Sequence, residues 1–203
     1  MAQTRIKSAK PWWESKTKFL LQEYAAKYDA TFVAATFKNW KYTGQYVVIE
    51  LPHGRGQMYL TVTDSSSSNG TNTSSGQVIG IKYKYKPRRK LEYILSPIKS
   101  ALFLIFRGNL RQVTLPNPLS KSFHAGASHP SLLRGILKHE GIAELLEEHK
   151  GARLKTRVKE HEAELSFTET LKKVDVELLR GCVHLVELFI EAIYEQGMVR
   201  EVN

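Results

Sequence analysis

The chain has 203 residues, 42% hydrophobic and 25% charged, an ordinary composition for a soluble globular protein large enough to form one domain around its own core. Its single cysteine excludes an intrachain disulfide and fits a reducing compartment. The formal charge of +10 is lopsided: residues 1–111 carry 18 Lys and Arg against 6 Asp and Glu, and the remainder 12 against 14. Such an excess speaks to partners and solubility, not to fold.

The N-terminus is basic but lacks the apolar stretch of a secretory signal. The most apolar run, residues 101–106, is far shorter than the ~20 residues that span a bilayer. Both point to a cytoplasmic protein. Residues 1–11 read as a basic tail and residues 12–203 as a single domain.

Residues 12–27 predict an amphipathic helix, with Trp12, Trp13, Phe19, Leu20, Tyr24 and Tyr28 at spacings near three and four. Residues 30–40 predict a strand, rich in aromatic and β-branched side chains. YVVIEL, residues 46–51, predicts a second. Pro52, Gly54 and Gly56 mark a turn, and residues 57–63 form a third strand with Met58, Leu60 and Val62 on one face. Residues 65–76, SSSSNGTNTSSG, contain no apolar side chain and predict a flexible loop joining two strands. The sheet resumes over residues 77–85. Residues 91–106 fit either strand plus helix or two strands.

The second half is more regular. His129-Pro130 opens a short helix reaching about Lys138, with proline where a helix start tolerates it. A second covers residues 142–149 and stops at Gly151. Leu154, Thr156 and Val158, then Ala163, Leu165 and Phe167, alternate with polar residues and predict a half-buried antiparallel hairpin. Asp175 is a candidate N-cap for a long helix whose apolar stripe runs Val174, Leu178, Cys182, Leu185, Phe189 and Ile193, closed by Gly197. Gly135 and Gly181 each cost a helix about 1 kcal/mol relative to Ala, which implies close packing at both. The pattern predicts an α+β fold: a single domain, a mostly antiparallel sheet, helices packed on one face and a long C-terminal helix.

The candidate site residues are few. Lys82, Lys84, Lys86, Arg88, Arg89 and Lys90, interleaved with Tyr83 and Tyr85, can contact phosphates while the rings stack on bases or sit at a lipid interface. The same alternation also describes an edge strand with one wet face, its lysines guarding against edge pairing. Lys7, Lys10, Trp12 and Trp13 suit a membrane surface, and equally a basic tail before a helix that buries its tryptophans. His139-Glu140 fails the HExxH zinc pattern because position 143 is Ala. His149, His161 and His184 have no second His or Cys at i+3 or i+4 and read as core or solvated histidines. Cys182 lies on the apolar stripe and reads as a buried structural thiol. Gly54-Arg55-Gly56 is too short for a phosphate loop.

No catalytic residue, metal site or cofactor is predicted. The expected role is a non-catalytic binding or accessory protein. The alternative is a polyanion-binding protein whose basic half meets nucleic acid or an anionic membrane surface. The order of aromatic helix, strands, Phe123 segment, HPSLLRGILKHEGIAELLEEHKG at 129–151, hairpin and Asp175 helix resembles a loose group of uncharacterised bacterial α+β proteins. That resemblance implies a single mixed domain and imports no active site, cofactor or partner.

Overall fold

The computed structural model describes residues 16–69, 72–99 and 109–200. Lys7, Lys10, Trp12, Trp13 and residues 100–106 of the ambiguous apolar run lie outside them. In chain order the elements are α1 (Lys16–Lys27), β1 (Thr31–Val33), β2 (Thr36–Lys38), β3 (Lys41–Thr43), β4 (Tyr46–Glu50), β5 (Gln57–Asn69), β6 (Asn72–Tyr85), β7 (Tyr93–Pro97), β8 (Arg111–Val113) and β9 (Phe123–Ala127). Then follow α2 (Pro130–Ile136), α3 (Ile142–Glu148), β10 (Arg153–Lys159), β11 (Glu162–Leu171) and α4 (Val176–Glu195).

Among the described residues nine strands form one antiparallel sheet in the order β1-β4-β5-β6-β11-β10-β7-β9-β8. Its register explains the core. Val47, Leu60, Ile81, Phe167, Leu154, Leu95, Ala125 and Val113 face one another across eight strands, and all are buried. The next row runs Ile49, Met58, Tyr83, Leu165, Thr156, Tyr93 and Ala127. Side chains alternate along a strand, so this apolar set shares one face. The helices cover it. On α4, Leu179, Cys182, Val183, Val186, Phe189, Ile190 and Ile193 are buried, each large aliphatic or aromatic one worth about 1.5–3 kcal/mol. Phe189 stacks on Tyr93 with ring centroids 6.4 Å apart. The expected α+β domain is this one, with Asp175 capping α4 by accepting from the Leu178 N–H at 2.9 Å.

Three sequence expectations are corrected. Residues 30–40 do not form one strand: β1 joins the sheet edge, while β2 and β3 form a separate hairpin around Asn39-Trp40. That turn holds Asn39 at φ +50° and Trp40 at φ +61°. The two-residue hairpin turn needs positive φ, which Asn tolerates and which costs a bulky residue about 1–2 kcal/mol. The Ser-rich run is paired strand rather than loop: Ser65 lies opposite Gly76 and the pairing continues to Asn69 and Asn72. Beyond Ser65 and Gly76 the ribbon pairs with itself alone among the described residues, so it needs a backbone ladder but no apolar side chain. Lastly, β6 is interior to the sheet, so its lysines do not guard an edge. The ambiguous run begins as strand, with LEYIL contributing to β7, and α3 ends at Glu148, ahead of Gly151.

Candidate functional site

A cleft of about 730 Å³ opens at the end of the sheet where β5 begins and β6 ends. The turn after β4 builds one wall. His53, Gly54 and Gly56 take positive φ there, and the Leu51 N–H closes the turn on the Gly56 carbonyl at 2.8 Å. Glycine supplies this backbone without a Cβ penalty. The Tyr83 hydroxyl fixes the turn by donating to the Arg55 carbonyl at 2.8 Å. Its oxygen also lies 3.1 Å from the Tyr194 hydroxyl. A carbonyl only accepts, so the Tyr83 proton goes to Arg55 and Tyr194 donates to Tyr83. The Arg55 guanidinium sits 4.8 Å from the Tyr194 ring centroid, a cation–π contact that holds it at the mouth. Lys84, Lys86 and Arg200 complete a set of four cations against two lining acids, Glu162 and Glu195. Lys84 pairs with Glu162 at 2.7 Å, both side chains half exposed.

The period of two splits the predicted cluster. Lys82, Lys84 and Lys86 point to solvent, while Tyr83 and Tyr85 lie on the core face. Tyr83 is wholly buried; its ring cannot stack on a base, and its contribution is to position the cleft turn. Tyr85 stacks on Tyr83, centroids 5.6 Å apart. Burial raises both hydroxyls, that of Tyr85 to about 12, so both stay neutral donors. Arg88, Arg89 and Lys90 follow β6 and are exposed. The chain is held there by the Arg88 N–H on the Met198 carbonyl at 2.7 Å and the Arg200 N–H on the Lys86 carbonyl at 2.9 Å. Among the described residues, Lys84 alone of these six cations forms an ion pair. Of the six, Lys84 and Lys86 line the cleft; Arg88, Arg89 and Lys90 follow them in the chain.

A second constellation is buried. His149 follows α3, Glu169 stands on the core face of β11 and Cys182 on α4; their donor atoms lie within 4.8 Å of one another. His149 Nδ1 is 2.8 Å from Glu169 Oε2, and Cys182 Sγ is 3.7 Å from each. Gly151 and Gly181 make room: a Cβ on Gly151 would lie 3.1 Å from Glu169 Oε1, and one on Gly181 3.0 Å from His149 Nε2. The donor types suit zinc, but a closed zinc site takes four donors, and two on one tetrahedral ion stand about 3.3 Å apart. The 2.8 Å contact is a hydrogen-bond separation. Burial, then the Glu169 carboxylate, pushes the Cys182 thiol up, which makes it a poor nucleophile. The trio is a hydrogen-bonded group within the core.

No protein-family model matches the chain, and no curated protein does. One solved fold does. The crystal structure of the mycobacterial trehalose monomycolate transport factor A, TtfA, superposes with a TM-score of 0.57 over 93% of this chain and 100% of that one, at 8% identity. At that identity the likeness is one of fold.

Sequence reasoning missed Arg55, Tyr194, Glu195 and Arg200 as partners of Lys84 and Lys86. Two glycines flanking Arg55 signal only a turn, and nothing local places residue 55 beside residue 194. It also missed Arg153, Lys155 and Arg157, which line the outer face of β10. There burial and the neighbouring guanidinium groups of Arg157 and Arg153 lower the Lys155 ammonium below its ordinary value. Among the described residues no helix is long and apolar enough to cross a membrane.

Proposed function

We propose that this is a non-catalytic accessory protein of the cytoplasm that binds a phosphate-bearing ligand in the cleft between Arg55, Lys84, Lys86 and Arg200. The observation that carries the reading is four cations around a 730 Å³ cleft against two acids. The lysine and arginine side chains supply charge-assisted donors. The Arg55 guanidinium, oriented by the Tyr194 ring, supplies a planar fork that matches phosphate geometry. Lys82, Arg88, Arg89 and Lys90 extend the positive field outside the cleft and steer an anion towards it.

TtfA is named as a transport factor, and a transport factor on a similar fold supports the accessory part of this reading.

The test is titration with inorganic polyphosphate at several salt concentrations. Binding should weaken steeply with salt, and Lys84→Ser/Lys86→Ser should abolish it. Separate arms with a single-stranded oligonucleotide and with short-chain phosphatidylglycerol below its critical micelle concentration distinguish a nucleic-acid phosphate from a lipid headgroup. Unchanged polyphosphate binding in the double variant rejects the assignment to the cleft.

A further inference from the structure

The β2–β3 hairpin is the most exposed aromatic surface among the described residues. Trp40 is 94% exposed at its turn, with Phe37 at 67% and Tyr42 at 68%. Phe37 and Tyr42 are directly cross-paired, so they share one face of the ribbon, and the Trp40 ring meets Phe37 edge-on at 6.3 Å. The turn places a tryptophan where φ is +61°, a position that ordinarily takes Gly, Asn or Asp. Strained backbone carrying an exposed side chain is a pointer to function. Lys38 and Lys41 face each other across the same turn, although like charges directly opposite are unfavourable.

The hairpin is also tied to α1. The Gln45 side chain, at its base, donates to the Thr17 hydroxyl in the first turn of α1 at 2.9 Å. Phe19 on α1 is 46% exposed. Residues 1–43 carry eight Lys and Arg against three Asp and Glu.

We propose that the β2–β3 hairpin docks on an anionic lipid bilayer, with Trp40, Phe37 and Tyr42 entering the headgroup region and Lys38 and Lys41 meeting lipid phosphates. Tryptophan and tyrosine are the side chains of membrane interfaces, apolar in body and polar at one atom. Lysines attract an anionic leaflet while keeping their heads in water. A protein partner or a second copy fits less well, because interface cores exclude lysine, and here two opposed lysines flank the aromatic tip. The surface is separate from the cleft: β4 runs from the hairpin at Tyr46 to the cleft turn after Glu50.

The test uses the full chain carrying Trp12→Phe/Trp13→Phe, which leaves Trp40 as the one tryptophan. Vesicles of phosphatidylglycerol and phosphatidylcholine should shift its emission to the blue and brominated lipid should quench it, while pure phosphatidylcholine should bind at least tenfold more weakly. Lys38→Glu/Lys41→Glu should abolish the preference for anionic lipid. Phe37→Ser/Trp40→Ser/Tyr42→Ser in the otherwise native chain should lose vesicle flotation at unchanged circular dichroism. Lys84→Ser/Lys86→Ser should keep it, which separates this surface from the cleft. An unshifted Trp40 emission on anionic vesicles overturns the proposal. So does flotation retained by the triple serine variant, or Trp40-dependent dimerisation without lipid binding.

Discussion

The Tyr83 hydroxyl oxygen stands 3.1 Å from that of Tyr194, joining the buried face of β6 to the last turn of α4 at the floor of the cleft. The same Tyr83 hydroxyl holds the Arg55 carbonyl. Tyr83→Phe leaves that carbonyl without its donor and should cost about 1–3 kcal/mol. Urea denaturation at constant m-value checks this. Tyr194→Phe removes a donor but orphans no carbonyl, and should cost less.

Glu162 neutralises Lys84 at the cleft mouth. Glu162→Gln should therefore tighten polyphosphate binding a few-fold while leaving the fold intact, measured by calorimetric titration at low salt. Weaker binding would mean that the carboxylate orients Lys84 rather than masking it.

Gly181→Ala sets two effects against each other. Alanine favours a helix by about 1 kcal/mol over glycine, but its Cβ would lie 3.0 Å from His149 Nε2. The buried imidazole is tied to Glu169 at 2.8 Å and cannot give way without losing that bond. Net destabilisation is expected in thermal unfolding, against the sign that propensity alone predicts.

The Cys182 thiol, raised by burial and by Glu169, stays protonated at pH 8. Because thiolate is the reactive form, a disulfide reagent should leave the native protein unmodified and label one thiol after denaturation. Rapid labelling of the folded chain would contradict the buried trio.

The fold was legible where side-chain period met burial. The stripe of α4, its Asp175 cap and the β10–β11 hairpin all follow from the sequence, because each buries one face and polar residues fill the other. The ribbon 65–76 was not legible. Its strands satisfy their backbones against each other, so no apolar alternation marks them. The aromatic run 30–40 misled for the opposite reason: strand-forming residues there are exposed, and the turn at Asn39-Trp40 lacks the usual glycine. Of the site, Lys84 and Lys86 were visible as charge, and Gly54 and Gly56 as a turn. What brings Arg55, Tyr194 and Arg200 to them is tertiary packing across 145 residues of chain. Gly135 and Gly181 did announce close contacts, against the Gln196 amide and the His149 ring.

The ribbon itself offers a simple check. Replacing residues 66–75 by Asn-Gly between Ser65 and Gly76 shortens a segment whose strands pair only with each other among the described residues, and should change stability by less than about 0.5 kcal/mol. A large loss in thermal unfolding would show that the ribbon packs elsewhere.

The most direct measurement is the affinity for inorganic polyphosphate of the native chain, of Arg55→Ser/Lys84→Ser/Lys86→Ser, and of a charge-matched control, Arg153→Ser/Lys155→Ser/Arg157→Ser on the outer face of β10. Loss of binding in the cleft variant alone, with the control near native, is the predicted result. Equal losses in the two variants would mean that net charge rather than the cleft holds the anion, and would contradict the proposed site.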